Sequence, residues 1–349
     1  MQCFVEKETA LLFRRLRRFL LHYMYVITIT ANTLPLLAQQ TVAAQSRYAT
    51  PGTRVVMDAH NCYPYFEWWT DRINRALSAG TPLAIEQDLY WYTDPRSGRS
   101  WSVVTHGAPA SGAEPTLENY FFDTVRPVVE QAIKSGDQRD WPLITLNLDL
   151  KSEQPEHLSA ILKTLEAHKE WITSAQKSAD IHQVQPLKVR PILVLTGDSD
   201  AQQSVFYDQV VAGDDVLLFG AVHTNIHEPM AAPDVVEPEP ANNYRRWWNN
   251  PWSVVEAGGQ PKAGAWTPED QARLSSLVKH AHEHNLWIRF YTLDGTTTQE
   301  LSSHGWFKQY NFGSMNAAKE RWSAARNAGA DYIASDQYEE LAAFLAEGK

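Results

Sequence analysis

Acidic, imidazole and ammonium side chains recur at the ends of three apolar, β-branched segments in the first half of the chain. In chain order these are Asp58-Ala59-His60-Asn61, Glu86-Gln87-Asp88, His106 after a short run, and Asp149-Leu150-Lys151. Side chains on a strand alternate between two faces, so the two acids of the second segment share a face, as do the acid and the lysine of the last. Carboxylates at close range repel unless a cation lies among them. We therefore predict a metal site at Glu86, Asp88 and Asp149.

The types of these side chains indicate which chemistry they could perform. An all-oxygen ligand set suits a hard ion, Mg²⁺ or Ca²⁺, rather than Zn²⁺. His60 and His106 suit proton transfer, one accepting and one donating, because the pKa of an imidazole lies near neutrality. Lys151 and the cation would hold the charge of a phosphoryl group. Any one of these residues alone is typical of an ordinary strand end, whereas their coincidence predicts phosphoryl chemistry.

A regular alternation of strands and helices must position these residues. Seven segments have strand character, namely 54–60, 82–91, 143–151, 189–197, 215–223, 286–294 and 330–336. Helical spacing and caps predict helices over 66–79, 116–135, 154–176, 267–284 and 314–328. The only candidate for an eighth strand is Trp252-Ser253-Val254-Val255. We therefore predict a single-domain α/β fold, the (β/α)₈ TIM barrel, whose active sites gather at the carboxyl ends of the strands. A doubly wound open sheet is the alternative, but no Gly-x-Gly-x-x-Gly turn follows the first strand.

The strand-end pattern resembles the phospholipase-C-like phosphodiesterases, TIM barrels that include glycerophosphodiester phosphodiesterases and sphingomyelinase D-type enzymes. The residues that match are His60, Glu86, Asp88, His106 and Asp149, with Lys151 similar to the phosphate-contacting lysine of the sphingomyelinase D branch. The resemblance implies a metal-dependent hydrolase or lyase of phosphoric diesters. A hydroxyl of the substrate or a water would attack phosphorus, with His60 and His106 as the acid–base pair in either order.

One position departs from that family. Glycerophosphodiesterases usually carry His-Arg-Gly after the first strand, and this chain has His60-Asn61-Cys62. Asn61 could donate one hydrogen bond to a phosphate in place of the arginine, without its charge. The substrate therefore stays open between a glycerophosphodiester and a phospholipid-type diester.

Other side chains are weaker candidates. We expect Arg289, in a strand segment, to line the barrel and contact substrate. Trp248 lies in the aromatic-rich segment 242–252, which with segment 63–69 predicts a rim that takes an apolar or choline-like group, buried packing being the alternative. Several histidines could be soft-metal ligands but are more typical of a solvated surface or a helix end, namely His223, His227, His280, His282 and His284.

Three other functions share these features. A zinc amidohydrolase-like barrel would want His-x-His after the first strand, where this chain offers Asp58-x-His60. A glycosidase would want carboxylates on both sides of a glycosidic bond, whereas Glu86 and Asp88 lie on one strand. A non-catalytic exported barrel that binds a small ligand would not need both His60 and His106.

Composition and the N-terminal segment bear on partners and location. The chain has 349 residues and a net charge of −10, so we expect no nucleic-acid partner. A basic cluster over 14–18 and an uncharged stretch over 19–38 predict a signal peptide at 1–40, a mature domain at 41–349 and a secreted or periplasmic location. A membrane anchor is the alternative. We expect a monomer without an anchor after cleavage, and without a disulfide, because only Cys62 lies beyond residue 40.

The export prediction is tested by the N-terminus of the protein recovered outside the cytoplasm. Small residues near Ala38 and Ala44 suit a signal peptidase, so mass spectrometry should place the mature N-terminus between Gln39 and Arg47. A membrane-bound product that retains Met1 would support the anchor instead.

Overall fold

The computed structural model describes residues 49–64, 71–237, 239–304 and 310–347. The predicted signal peptide and most of the aromatic segment 63–69 lie outside these residues. The strands are β1 (Val56–Ala59), β2 (Leu83–Thr93), β3 (Ser100–Val104), β4 (Ile144–Leu150), β5 (Ser174–Gln176), β6 (Leu187–Lys188), β7 (Ile192–Thr196), β8 (Asp215–Val216), β9 (Phe219–Ala221), β10 (Arg245–Pro251), β11 (Trp287–Tyr291) and β12 (Tyr332–Ser335). In the described part of the chain, no helix is long and apolar enough to cross a membrane.

Eight of these strands close into a parallel barrel. Their order around the barrel is β1-β2-β4-β7-β9-β10-β11-β12, and β12 pairs with β1 to close it. The closing pair aligns Val56 with Tyr332 and Ala59 with Ser335. The strands read as apolar runs because one face packs on the helices and the other fills the barrel. The predicted single-domain (β/α)₈ barrel is therefore confirmed.

Helices cover the outside of the barrel. They are α1 (Arg72–Ser78), α2 (Asp123–Ser135), α3 (Pro155–Ala167), α4 (Asp200–Gln203), α5 (Pro233–Val236), α6 (Pro268–Glu283), α7 (Thr298–His304), α8 (Met315–Ala328) and α9 (Tyr338–Ala346). Helix α6 begins at a capping box in which the Thr267 and Asp270 side chains accept from each other's backbone N–H groups. A π-helical turn at Glu118–Phe122 precedes α2.

The eighth barrel strand is not at Trp252–Val255, where we expected it. It is β10, Arg245–Pro251, and Trp252–Val254 forms a 3₁₀ turn after Pro251. This strand is difficult to recognise in the sequence because it begins with two arginines. Both arginine side chains are nevertheless buried, because backbone carbonyls accept hydrogen bonds from their guanidinium groups. Arg245 Nη1 donates to the Ala221 carbonyl at 2.7 Å, and Arg246 Nη2 donates to the Gln185 carbonyl at 2.9 Å.

Two additions decorate the barrel. Strands β5, β6 and β8 form a separate three-stranded antiparallel sheet. Strand β3 pairs antiparallel with the long β2, and the Thr105 N–H that follows donates to the Asp88 carbonyl at 2.9 Å. That bond places His106 beside the carboxyl end of β2.

Candidate active site

A pocket of about 290 Å³ opens at the carboxyl ends of the barrel strands. The residues that line it are His60, Asn61, Glu86, His106, Asp149, Lys151, Tyr291, Thr292, Asp294, Tyr310 and Asn311. Six side chains predicted from strand ends in the first half of the sequence therefore share one cavity with groups from the last third of the chain. The closed barrel brings them together, because every parallel strand ends at the same rim.

The three predicted metal ligands lie side by side. Strands β2 and β4 align Asp88 with Asp149 directly, and Glu86 with Asn147 one pleat below. One carboxylate oxygen from each of Glu86, Asp88 and Asp149 lies within 4.8 Å of the others. Asn147 Nδ2 donates to Glu86 Oε2 at 3.2 Å, which leaves Oε1 toward the pocket, 3.8 Å from His60 Nε2.

The charge balance of these acids fits a bound cation. Asp88 is fully buried, and neither of its oxygens accepts a hydrogen bond, although Lys151 Nζ lies 3.2 Å from Oδ2. Burial, together with the negative charges of Glu86 and Asp149, raises the pKa of Asp88 well above its usual range. Three neighbouring carboxylates, one of them fully buried, would be stabilised by a cation among them. The donor set, three carboxylates, is that of a hard divalent ion.

His60 is held at its pocket-facing position by a network behind it. Asp336 Oδ1 lies 3.2 Å from His60 Nδ1, and the Asn61 amide nitrogen lies 2.8 Å from the same atom and donates to both Asp336 oxygens. Arg72 Nη2 donates to Asp336 and to the His60 carbonyl, and Tyr338 Oη donates to that carbonyl at 2.6 Å. Because Nδ1 faces this network, Nε2 is the nitrogen available to the pocket.

The two histidines have opposite electrostatic surroundings. Burial alone would lower the pKa of His60, but the charges of Glu86 and Asp336 outweigh it and raise the pKa to about 9. Burial and the charge of Lys151 lower the pKa of His106. The His106 side chain is 44% exposed, and its Nε2 lies 3.8 Å from Asp88 Oδ2. Both rings therefore border the same acids from different sides.

Lys151 and Asn61, the two predicted substrate contacts of the first half of the chain, both line the pocket, but their side chains are engaged differently. Lys151 Nζ donates to Asp149 Oδ2 at 2.6 Å, and its side chain is 20% exposed, so the ammonium faces the acids at the rim. The Asn61 amide is engaged by Asp336 and His60. Asn61 also has a left-handed backbone with φ of 51°, which asparagine tolerates better than most residues. Its position therefore supports His60 rather than replacing the missing arginine.

Arg289 does not reach the pocket, which corrects our expectation of a substrate contact. Its side chain is buried in the barrel interior, where Nε donates to Asp58 Oδ2 and Nη2 donates to Glu86 Oε2. Its Nη1 donates to Asn249 Oδ1 at 3.0 Å. All its donor nitrogens are therefore committed to groups within the barrel.

The prediction for Trp248 is also wrong: this residue packs against a helix and does not lie at the rim of the pocket. On β10 it faces away from Asn249 and therefore out of the barrel, toward α6. Its indole is fully buried, donates to Thr224 Oγ1 at 2.9 Å, and lies edge-on to His280 at 6.0 Å between ring centroids. Of the segment 63–69, residues 65–69 lie outside the described part of the chain.

Sequence reasoning missed the residues that follow β11 and β12. Asp294 and Asp336 end these segments, so the same strand-end rule would have found them. Asp294 Oδ1 accepts from the Asp336 N–H at 2.7 Å and from Ser335 Oγ at 2.6 Å, which fixes the loop that carries Asp336. Thr292, whose Oγ1 lies 3.5 Å from His60 Nε2, has φ of 62°, a strained conformation for a β-branched residue. Nothing in the sequence signals that strain.

The geometry also bears on the alternative chemistry of a zinc amidohydrolase. Asp58, the position at which that class would need a histidine, points into the barrel and pairs with Arg289. It lies below the pocket rather than in its lining, so the first strand offers His60 alone.

Comparison with known proteins finds similarity of fold. No protein-family model matches the chain, and no curated protein matches it by sequence. A glycerophosphoryl diester phosphodiesterase from Parabacteroides distasonis ATCC 8503 is 15% identical, with 87% of this chain and 90% of that chain covered and a TM-score of 0.42. A second glycerophosphodiester phosphodiesterase from that organism is 11% identical, with 84% and 98% covered and a TM-score of 0.42. A Bacteroides ovatus GH5 xyloglucanase is 11% identical, with 84% and 74% covered and a TM-score of 0.36. Barrels of the expected phosphodiesterase class are thus among the solved structures that match.

The burial of Arg289 predicts a large effect on stability. Arg289→Gln would leave Asp58 and Glu86 buried without their cation, and breaking a buried ion pair typically costs about 3–5 kcal/mol. Urea unfolding should show a loss of that size. The matched control is Arg75→Gln, which breaks a pair with Glu339 whose side chains are 30% and 50% exposed, and such surface pairs contribute only about 0–1 kcal/mol. Equal unfolding midpoints for the two variants would contradict the role given to Arg289.

Proposed function

We propose that this protein is a metal-dependent phosphodiesterase that uses His60 and His106 as its acid–base pair. The observation that carries the proposal is the convergence of both histidines, three carboxylates and Lys151 around one cavity. A binding-only barrel would not require a proton donor and a proton acceptor on opposite sides of an acid cluster.

Glu86, Asp88 and Asp149 would hold the cation. When bound, a hard divalent ion would supply Lewis-acid stabilisation of the phosphoryl charge. The bound cation would add positive charge beside Asp88, which is buried and shares the single ammonium of Lys151 with Asp149. Lys151 lies next to both Asp88 and Asp149, so its ammonium is placed to hold a phosphate oxygen near the same acids.

The histidines would move the protons. One imidazole removes a proton from the attacking hydroxyl or water, and the other gives a proton to the leaving oxygen as its bond to phosphorus breaks. Asp336 and Asn61 lie beside Nδ1 of His60, so Nε2 is the ring nitrogen that faces the pocket. Asp294 and Arg72 in turn hold Asp336, so the orientation of His60 is set by a chain of buried contacts. Either assignment of acid and base is compatible with this arrangement.

The pocket suits a small diester headgroup. Its volume of about 290 Å³ is bounded on one side by the rings of Tyr291 and Tyr310, and Tyr310 is 52% exposed. Tyr291 stacks on His60 with ring centroids 6.3 Å apart. We propose a glycerophosphodiester or phospholipid-type substrate, with the scissile phosphate at the acids and an apolar or hydroxylated group against the tyrosines. Export and a monomeric state stay proposals that follow from the sequence.

The first test concerns the metal. Exhaustive chelation should abolish diester turnover, and Mg²⁺ or Ca²⁺ should restore it, because the ligands are carboxylates. Asp88→Asn should weaken metal binding by more than the about 10–100-fold that the loss of a supporting residue costs. The metal affinity measured by isothermal titration calorimetry and the rate of diester turnover should fall together. Asp137→Asn, which alters an exposed acid paired with Arg139, is the matched control. Turnover that survives chelation would argue against the proposed metal.

The second test concerns the histidines. His60→Ala and His106→Ala should each lower kcat by about 10²–10⁴-fold, the usual contribution of general acid–base catalysis. The double variant should lose less than the product of the two losses, because the pair acts as a unit. His227→Ala, in an exposed loop, should stay within a few-fold of the parent. Circular dichroism should confirm that each variant is folded.

A panel of phosphodiesters, with products followed by phosphorus NMR, identifies the substrate. The leaving group shows which diester is used, and a cyclic product separates intramolecular attack from hydrolysis. A His60→Ala variant that turns over the best diester as fast as the parent would overturn the assignment to this class.

A further inference from the structure

A second group of metal-ligating side chains lies at the opposite end of the barrel. Glu237 follows α5 in the connection that leads into β10, and His280 and His284 lie at the carboxyl end of α6, which leads into β11. Both connections precede barrel strands, whereas the pocket of His60 lies where the strands end. The group is therefore separate from the proposed catalytic site.

Three ligand atoms converge in this group. His280 Nε2 lies 3.1 Å and His284 Nδ1 lies 2.9 Å from Glu237 Oε2, and all three atoms lie within 4.8 Å of one another. Two ligands on a tetrahedral zinc ion with bonds of about 2.0–2.1 Å are separated by roughly 3.3 Å. The distances of the two imidazole nitrogens from Glu237 Oε2 are slightly shorter than that value, so a small outward shift of each side chain would admit the ion.

The local fold places these atoms without strain on the helix. Histidines four residues apart lie on one face of a helix, and the His280 and His284 rings are 4.1 Å apart between centroids. The His284 N–H donates to the His280 carbonyl, and the His284 carbonyl accepts from the Ala241 N–H. Backbone bonds thus fix His284, the C-cap residue of α6, to the segment that follows Glu237. The partial negative charge of the helix end also favours a cation there.

Burial distinguishes this group from a solvated surface cluster. The Glu237 side chain is fully buried, and those of His280 and His284 are 14% and 26% exposed. In the described part of the chain, the ion pairs of Glu237 are with these two histidines, and its Oε1 accepts from the Glu239 N–H. The backbone carbonyl oxygen of Glu237 lies 2.8 Å from His280 Nε2, so a second oxygen of this residue borders the group. A buried carboxylate is most stable when a full positive charge is beside it.

The donor chemistry selects the ion. Two imidazole nitrogens and one carboxylate oxygen form a set that zinc takes in proteins, with a fourth position left for water. The same set is a poor one for Mg²⁺ or Ca²⁺, which prefer oxygen ligands. We propose that Glu237, His280 and His284 bind Zn²⁺ and that this ion ties the connection before β10 to the end of α6.

The test is zinc and cobalt binding by the full-length chain in excess Mg²⁺, which occupies oxygen-rich sites. The parent should retain about one zinc ion per chain after gel filtration, and Co²⁺ should give the visible bands of a four-coordinate ion with nitrogen ligands. Zinc should also raise Tm by a few degrees, because a ligand that binds only the folded state stabilises it.

Variants locate the ion. Glu237→Gln and His284→Asn should each lose the bound zinc, the cobalt bands and the zinc-dependent rise in Tm. His282→Asn is the matched control, since His282 lies on the same helix but contacts Asp331 instead of Glu237; it should keep the zinc. His284 is the most exposed of the three, so His284→Asn serves if Glu237→Gln does not fold.

The outcomes separate this proposal from the proposed function. Asp88→Asn should retain the zinc even where it has lost turnover, and His284→Asn should lose the zinc whether or not diesters are substrates. A parent that binds no zinc, or a His284→Asn variant that binds as much as the parent, would overturn the proposal and leave the group as a hydrogen-bonded cluster.

Discussion

The guanidinium of Arg289 lies between the carboxylates of Asp58 and Glu86 inside the barrel, and the pocket above depends on it. Tyr291 lies two residues beyond Arg289 on β11, and His60 lies two residues beyond Asp58, so the ion pair is one layer of side chains below the pocket. Two carboxylates in a closed barrel would be costly without a buried cation. Arg289 binds one oxygen of each, and it therefore fixes Glu86 with its other oxygen toward His60.

The acids around the pocket differ in pKa because they have different charged neighbours. Burial alone would raise the pKa of Glu86, but His60 and Arg289 lower it to about 2, whereas Asp88, one pleat further out, has no such partner within hydrogen-bonding geometry. On the other side of the pocket, burial and the neighbouring Asp336 raise the pKa of Asp294 to about 7. Asp336 itself faces Arg72 and His60. Asp88 and Asp149 share only the ammonium of Lys151, so an added cation would have its greatest effect there.

Much of the site could be predicted because its signal is local. The period of two along a strand, and the rule that parallel strands end at one rim, placed Glu86, Asp88 and Asp149 together correctly. The same rule extends to Asp294 and Asp336, which end the last two strand segments of the sequence. Arg289 could not be assigned, since its partners lie 231 and 203 residues away in the chain. The prediction that Trp248 lies at the rim was wrong for a related reason. Composition shows that a segment is rich in aromatic residues, but not which face of the strand each aromatic side chain occupies.

The eighth strand shows how polar side chains can conceal a buried element. Two consecutive arginines are unusual in a buried strand, yet Arg245 and Arg246 are both inside because carbonyls and Asn243 accept their hydrogen bonds. Strand β10 contacts both groups of side chains. Its Asn249 supports Arg289 beneath the pocket, and its Trp248 packs on His280 beside Glu237. The acids Glu86, Asp88 and Asp149 lie where the strands end, and the group of Glu237, His280 and His284 lies where α6 ends. This division follows from the topology, because a barrel presents strand carboxyl ends at one rim and helix carboxyl ends at the other.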